Sequence, residues 1–229
     1  MVRPLQGLLL HIEQGSESGT DSWFHNPNSQ VSAHFGNPKS GGLDQWVDTN
    51  DAAWAEAAGN SKWISIENEG NSGDALTDNQ VANAALLLAW LNLTENIPMQ
   101  LADATTDFGL GYHSMGGVPW GNHPDCPGAP IIAQRATIVA QAQALVIGPT
   151  ITGLSAMSGS AGDTIVIAGS GFTFATSVGF GGTSVPSMVV TGDTQITVTV
   201  PPGSDTVDVE VITLVGTSSP TSAGQFTYV

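Results

Sequence analysis

Cysteine and basic residues are scarce in this chain of 229 residues. It has one cysteine, Cys126, and only 4 Lys and Arg against 20 Asp and Glu, a formal net charge of −16. A lone thiol excludes an internal disulfide, so Cys126 is a small buried hydrophobe, a reactive nucleophile or a metal ligand. The shortage of cations argues against nucleic acid or an anionic membrane surface as a partner, because both require clustered positive charge.

Long apolar runs are also missing. No segment approaches the roughly 20 apolar residues of a membrane-spanning helix. The first apolar run, "GLLLHI", is too short for the core of a signal peptide and is not followed by a small-residue cleavage site. We therefore expect no signal peptide, and we interpret this run as a buried first strand.

The composition changes near residue 150. All five His, all six Trp and all four basic residues precede it, whereas Gly, Ser, Thr and Val dominate the residues that follow. This shift predicts two domains, residues 1–147 and 148–229. The first has the strand-like segments "GLLLHI", "QVSAHFG", "LDQWVDT" and "KWISIENEG" and two helical segments that begin near Thr77 and Ala129. We interpret these as strands interleaved with helices, which indicates an α/β fold.

The second domain reads as short strands separated by turn residues, from "DTIVIAGSGF" to "GQFTYV". Such spacing is typical of an all-β, immunoglobulin-like sandwich. This domain has no cluster of titratable side chains, so catalysis is not expected there.

Three residues of the first domain suit a metal ion. His11 ends a strand, His113 lies in the glycine-flanked loop "GLGYHSMGG", and Cys126 lies in "GNHPDCPG". Two imidazoles and a thiolate form a suitable set for catalytic zinc, which keeps a fourth position open for water or substrate. Spacing alone leaves the alternative of a hydrogen-bonded core histidine and a buried thiol.

Glu67, in "ISIENEG", follows an apolar strand. A carboxylate beside a metal-activated water can act first as a general base and then as an acid toward a leaving amine. The alternative interpretation is a solvated strand end.

The ordered combination of these segments resembles the zinc-dependent N-acetylmuramoyl-L-alanine amidases of the amidase-2 (peptidoglycan recognition protein) fold. The similarity covers about residues 5–146 and is greatest to the amidase domains of endolysins from phages of actinobacteria. It runs in order through "LLLHIEQGS", "WFHNPNSQVSAHFG", "LDQWVDTNDAAW", "ISIENEG", "LTDNQVANAALLLAWL", "GYHSMGG" and "CPG". The fold that the resemblance implies is a central mixed β-sheet flanked by helices.

The resemblance implies a zinc ion (Zn2+) held by His11, His113 and Cys126, with Glu67 as the catalytic acid. The implied reaction cleaves the amide between N-acetylmuramic acid and the L-alanine of the stem peptide in bacterial peptidoglycan. An endolysin would be made in the host cytoplasm and would reach the cell wall after release. Two alternatives are a non-catalytic peptidoglycan-binding protein of the same fold and a phage structural protein.

The chain departs from the family near the last ligand. Many members have Lys or Thr two positions before it to stabilise the oxyanion, and this chain has Pro124. His123 is expected to take that role. The alternatives are that His123 supports the ligands without binding the metal, or that it competes with Cys126 as a ligand. His34 is a candidate to line the cleft, with a structural strand histidine as the alternative. Four tryptophans are candidates for substrate contacts or for the core: Trp23, Trp46, Trp54 and Trp120.

Residues 148–229 resemble the IPT/TIG immunoglobulin-like domain through "GSGF", "VGFGG", "ITVTVPPG" and the closing "FTYV". That family implies a fold rather than a function. Binding to a cell-wall glycopolymer and a simple spacer role are both open.

Overall fold

A computed structural model describes residues 1–229 and divides the chain into two compact units, Met1–Ala144 and Leu145–Val229. The first unit combines helices with a mixed sheet, and the second is built from strands. The predicted fold class, an α/β domain followed by an all-β sandwich, is confirmed. None of the helices is long and apolar enough to cross a membrane.

The sheet of the first unit has the spatial order β3-β2-β4-β1-β5. Its strands are β1 (Gly7–Ile12), β2 (Phe35–Asn37), β3 (Asp44–Gln45), β4 (Trp63–Asn68) and β5 (Gly109–Tyr112). β2, β4, β1 and β5 run parallel, and β3 is antiparallel to β2. The carboxyl ends of the four parallel strands therefore meet at one edge of the sheet.

The two central strands form the core of this unit. Every residue of β1 is buried, and in β4 only Glu67 is partly exposed. Continuous apolar runs of this kind are typical of parallel strands that are covered on both faces. Leu8, Leu10, Ile64 and Ile66 have no exposed surface, and burying each such side chain stabilises the fold by about 1.5–3 kcal/mol.

Three helices accompany this sheet: α1 (Glu17–Phe24), α2 (Asp78–Glu95) and α3 (Ala129–Leu145). α2 begins at the predicted capping box, in which Thr77 and Gln80 satisfy each other's backbone N–H groups. It ends at Asn96, whose φ of 57° is left-handed. The two predicted helices are present, whereas α1 was not predicted.

Two predicted strands are much shorter than expected. Of "QVSAHFG" only Phe35–Asn37 is a strand, and of "LDQWVDT" only Asp44–Gln45. In the first segment the backbone before Phe35 pairs with a loop: Ser32 N–H donates to the carbonyl of Trp54, and Trp54 N–H donates to Ser32 Oγ. These residues consequently form one wall of a groove instead of extending the sheet.

The second unit is a two-sheet sandwich. One sheet has the order β10-β9-β13-β14-β7 and the other β11-β12-β8-β6. The strands are β6 (Thr150–Leu154), β7 (Ser158–Gly159), β8 (Thr164–Ser170), β9 (Ala175–Phe180), β10 (Thr183–Ser184), β11 (Met188–Val190), β12 (Gln195–Thr199), β13 (Thr206–Thr213) and β14 (Gln225–Tyr228). All pairs are antiparallel except the short pair β7–β14.

Inward-facing residues of both sheets share one apolar core. It includes Ile167, Phe172, Val178, Ile196 and Phe226, each without exposed surface. Alternation of buried and more exposed residues along β8 and β12 places Ile167 and Ile196 inside.

Candidate active site

The parallel strands bring three predicted site residues to the same edge of the sheet. His11 and Glu67 are directly paired in the register of β1 and β4. His113 follows β5, the other neighbour of β1. Ligands of open α/β sheets bind at the carboxyl ends of the strands, and this is where the three side chains lie.

Cys126 reaches the same point from the loop that precedes α3. Ser114 N–H donates to the carbonyl of Cys126 at 2.9 Å, which fastens this loop to the turn that carries His113. The potential ligand atoms of His11, His113 and Cys126 all lie within 4.8 Å of one another.

Hydrogen bonds orient the imidazole of His113. Its Nε2 lies 2.8 Å from the carbonyl oxygen of Trp120. Because a carbonyl can only accept, Nε2 carries the proton and Nδ1 is left with a free lone pair. A hydrogen bond to the outer ring nitrogen is the usual way in which a metal-ligating histidine is held.

His11 has a different environment at each ring nitrogen. Its Nδ1 lies 3.7 Å from Glu67 Oε1, and its Nε2 lies 3.6 Å from Glu56 Oε2. The ring is buried, and Nε2 has no hydrogen-bond partner.

Burial sets the protonation states of these groups. Burial, and then the neighbouring imidazoles, lower the pKa of His11 and of His113 to about 3, so both rings are neutral at pH 7. Burial, and then the charge of Glu67, raise the pKa of the Cys126 thiol to about 12. Two neutral imidazoles are ready to bind a metal, whereas the thiol must lose its proton when a metal binds.

The donor set fits a metal ion. Two imidazole nitrogens and a sulfur are ligands that zinc prefers. The free Nδ1 of His113 is the feature expected of a histidine that awaits a metal, and Nδ1 of His11 lies on the side of Glu67, which lines the groove.

Glu67 lies beside this donor set. Its Oε2 is buried without a hydrogen-bond partner. Burial, and then the charges of Glu56 and Glu17, raise the pKa of Glu67 to about 8. A carboxyl group with a pKa near neutrality can both accept and deliver a proton.

The three potential ligands and Glu67 line a groove of about 630 Å³. Trp23 and Trp54 lie on its wall and are 53% and 59% exposed. The groove lining includes Glu13, Glu67 and Asp125 and has no Lys or Arg. The arrangement therefore suits an extended substrate with apolar and hydrogen-bonding groups.

His123 also lines the groove. Its ring centroid lies 4.8 Å from that of His113, and Pro124 follows it on the same wall. His123 does not belong to the group of mutually close donor atoms formed by His11, His113 and Cys126.

The prediction that His34 contacts substrate is corrected by the structure. His34 is fully buried and does not line the groove. The backbone N–H of Ser65 donates to its Nδ1 at 3.0 Å, so Nε2 carries the proton and donates to the carbonyl of Asp51 at 3.0 Å. Both nitrogens are therefore used inside the fold.

Trp120 is likewise a core residue and not a substrate contact. It is 4% exposed and packs with Leu9, Trp63 and Ala102. Its ring stands edge-on to that of Trp63, with centroids 5.9 Å apart. Its contribution to the site is the backbone carbonyl that orients His113.

Two carboxyl features of the site could not be recognised in the sequence. Glu56 is fully buried behind His11, and Glu13 and Glu17 form a half-buried acid pair near the groove. Burial is the main cause that raises the pKa of all three carboxyls. No local pattern marks them, because each looks like an ordinary surface acid in the sequence.

The fold and the site are those of an α/β domain with three residues that could hold a metal ion, and comparison with known proteins identifies the family. Residues 1–129 match the family described as N-acetylmuramoyl-L-alanine amidase (Amidase_2), and residues 149–228 match the IPT/TIG domain. The chain therefore belongs to the Amidase_2 family, with a TIG domain after the amidase domain. Both predicted family memberships are confirmed.

Individual relatives agree with this assignment. N-acetylmuramoyl-L-alanine amidase A of Achromobacter lyticus is 37% identical over 91 residues, which are 39% of this chain and 49% of that protein. The match thus spans about half the length of that relative.

Two solved structures are similar to the first unit. The Staphylococcus aureus hydrolase AmiA, in complex with its ligand, has a TM-score of 0.50 and 14% identity over 60% of this chain and 72% of its own. The N-acetylmuramoyl-L-alanine amidase LysC of Clostridium intestinale has a TM-score of 0.48 and 19% identity over 61% and 86%. At such identities the likeness to AmiA supports the fold alone.

Proposed function

We propose that the chain is a zinc-dependent peptidoglycan amidase that hydrolyses the bond between N-acetylmuramic acid and the L-alanine of the stem peptide. The observation that carries this proposal is the convergence of His11, His113, Cys126 and Glu67 at one end of an open groove. Membership of the Amidase_2 family supports the choice of substrate and bond.

In this proposal His11, His113 and Cys126 would hold the zinc ion. When bound, zinc would polarise the scissile carbonyl and acidify a water molecule. The open groove beside the three ligands leaves room for the substrate carbonyl and water.

Glu67 moves the protons of the reaction. Its carboxylate takes a proton from the attacking water as the water oxygen bonds to the carbonyl carbon. The same carboxyl then delivers that proton to the amide nitrogen as the carbon–nitrogen bond breaks, which yields a lactyl carboxylate and a free L-alanine amine. The unpartnered Oε2 of Glu67 is the atom available for this transfer.

His123 is the candidate for stabilising the developing oxyanion. Its position on the groove wall beside His113 supports this role. Pro124 has neither a backbone N–H nor a side-chain donor, so the neighbouring imidazole is the group that can supply a hydrogen bond.

The proposal extends to the biological role of the enzyme and to the role of the TIG domain. The resemblance to phage endolysin domains favours a lytic enzyme that is made in the host cytoplasm and acts on the wall after release. The TIG domain is proposed to bind a wall glycopolymer through hydrogen bonds and shape, because it contains no Lys, Arg or His.

The test is the release of stem peptide from purified actinobacterial peptidoglycan, measured as new L-alanine N-termini. We expect release by the zinc-loaded chain, loss of release with a chelator, and loss of release with zinc retained in Glu67→Ala. A chain that binds one zinc ion but releases no peptide from several wall types would instead be a peptidoglycan-binding protein.

A further inference from the structure

Glu56 is a buried side chain behind the proposed metal site, and the proposed reaction assigns it no role. It lies in the loop before β4, just before a short 3-10 turn at Ala57–Gly59. It is 0% exposed, and neither carboxyl oxygen has a hydrogen-bond partner. Burying a carboxyl group without a partner is costly, so a fold that retains one there requires a compensating interaction.

The surrounding backbone is shaped to hold this side chain in place. Glu56 N–H donates to Asn60 Oδ1 at 2.7 Å. The next residue, Ala57, has a φ of 47°, a left-handed conformation that is strained for alanine. Gly59 leaves the necessary space, because a Cβ there would lie 2.7 Å from Glu56 Cγ and 2.8 Å from the ring of Trp120.

The carboxyl group faces the inner nitrogen of His11. Glu56 Oε2 lies 3.6 Å from His11 Nε2, and that nitrogen has no other hydrogen-bond partner. The opposite nitrogen, Nδ1, lies on the Glu67 side, where the groove and the other ligands are. A closure of under about 1 Å would bring Nε2 and Oε2 into hydrogen-bond range.

We propose that Glu56 is a positioning residue for the zinc site: it accepts the Nε2–H of His11 and thereby leaves the Nδ1 lone pair free for the metal. This inference rests on the proposed function. A carboxylate behind a ligating histidine fixes its tautomer and ring orientation and raises its basicity. Its negative charge would also offset the single positive charge left when Zn2+ is bound by one thiolate and two neutral imidazoles.

The test compares zinc affinity in Glu56→Gln and Glu56→Ala with the wild-type chain, by competition with a chromophoric chelator. We expect Glu56→Ala to bind zinc about 10- to 100-fold more weakly. Glu56→Gln should lose less, because its amide oxygen still accepts the Nε2–H. The matched control is Glu17→Gln, a half-buried glutamate that contacts no ligand and should retain wild-type zinc affinity.

Two further readouts separate positioning from a merely structural role. In the metal-free form, Glu56→Gln should be at least as heat-stable as wild type, because it removes a buried carboxyl group without a partner. In the zinc form, 15N-histidine NMR should show a protected Nε2–H of His11 in wild type that exchanges faster in Glu56→Ala. If Glu56→Ala does not fold, the equally sized Glu56→Gln carries the test.

Wild-type zinc affinity in both variants would overturn the role of Glu56, as would an equal loss of heat stability with and without zinc. If the wild-type chain itself binds no zinc, the proposed function fails and this inference fails with it. If the wild type binds zinc and cleaves peptidoglycan while both variants bind zinc equally well, only the inference on Glu56 fails.

Discussion

His11 and Glu67 are register partners on the two central parallel strands, and His11 Nδ1 lies 3.7 Å from Glu67 Oε1. The pairing places a potential metal ligand and a potential proton carrier side by side on the most deeply buried part of the sheet. Because neither side chain depends on a flexible loop for its position, their spacing is fixed by the backbone hydrogen bonds of the sheet. The loops contribute the remaining ligand, Cys126, and the groove walls.

The ligand set makes a direct prediction on metal content. His113→Ala should reduce bound zinc to well below one ion per chain, because it removes one of three protein ligands. His25→Ala is the matched control, since His25 is exposed and lies outside the groove. Elemental analysis after dialysis measures both, and full zinc occupancy in His113→Ala would exclude this histidine as a ligand.

His123→Ala should slow the reaction without loss of metal. Removing one hydrogen-bond donor to an oxyanion typically lowers kcat by about 10²- to 10³-fold. We expect a loss of that size with zinc content unchanged. A variant that loses zinc would instead make His123 a metal ligand, and a variant with wild-type kcat would leave it without a catalytic role.

Truncation of Trp54 should affect catalysis, whereas truncation of Trp120 should affect stability. Trp54 is 59% exposed on the groove wall, so Trp54→Ala should lower kcat/KM about 2- to 10-fold, equivalent to ~0.5–1.5 kcal/mol of aromatic contact, with little change in stability. Trp120 is packed in the core, so Trp120→Ala should destabilise the unit by about 3–5 kcal/mol. Urea unfolding and steady-state kinetics on the same two variants decide between the roles.

The acid pair Glu13–Glu17 predicts how stability changes with pH. Burial, and then the charge of the neighbouring Glu13, raise the pKa of Glu17 to about 9 from an ordinary value of 4.5. An acid with a raised pKa stabilises the fold fully below pH 4.5, and this contribution is lost as the pH rises toward 9. Glu17→Gln should therefore raise the unfolding midpoint more at pH 8 than at pH 5.

Tryptophan fluorescence measures this effect selectively, because all six Trp residues belong to the first unit. A gain in midpoint that is the same at both pH values would show that Glu17 does not titrate between them.

The sequence was sufficient for the elements with strong local patterns. The apolar runs of β1 and β4 and the capping box at Thr77 and Gln80 predicted the central strands and α2 at nearly their observed positions. α1 was missed because it has eight residues and none of them is buried, so it has no apolar periodicity to detect.

The site was predictable only in part. His11, His113, Cys126 and Glu67 follow recognisable segments, and the structure brings them together. Their roles remain predictions. The position of Glu56 was not predictable, because its proximity to His11 comes from a loop that folds back behind that residue, a long-range contact with no local signature. His34 and Trp120 were misplaced because burial of a polar or aromatic side chain depends on tertiary packing.

The most direct measurement uses a soluble, chemically defined muropeptide, the zinc-loaded chain, and mass spectrometry of the products. We expect two products whose summed mass exceeds that of the substrate by one water: a saccharide with an intact lactyl carboxylate and a peptide with a free L-alanine amine. Intact muropeptide after prolonged incubation with a chain that holds one zinc ion, or cleavage at any other bond, would contradict it.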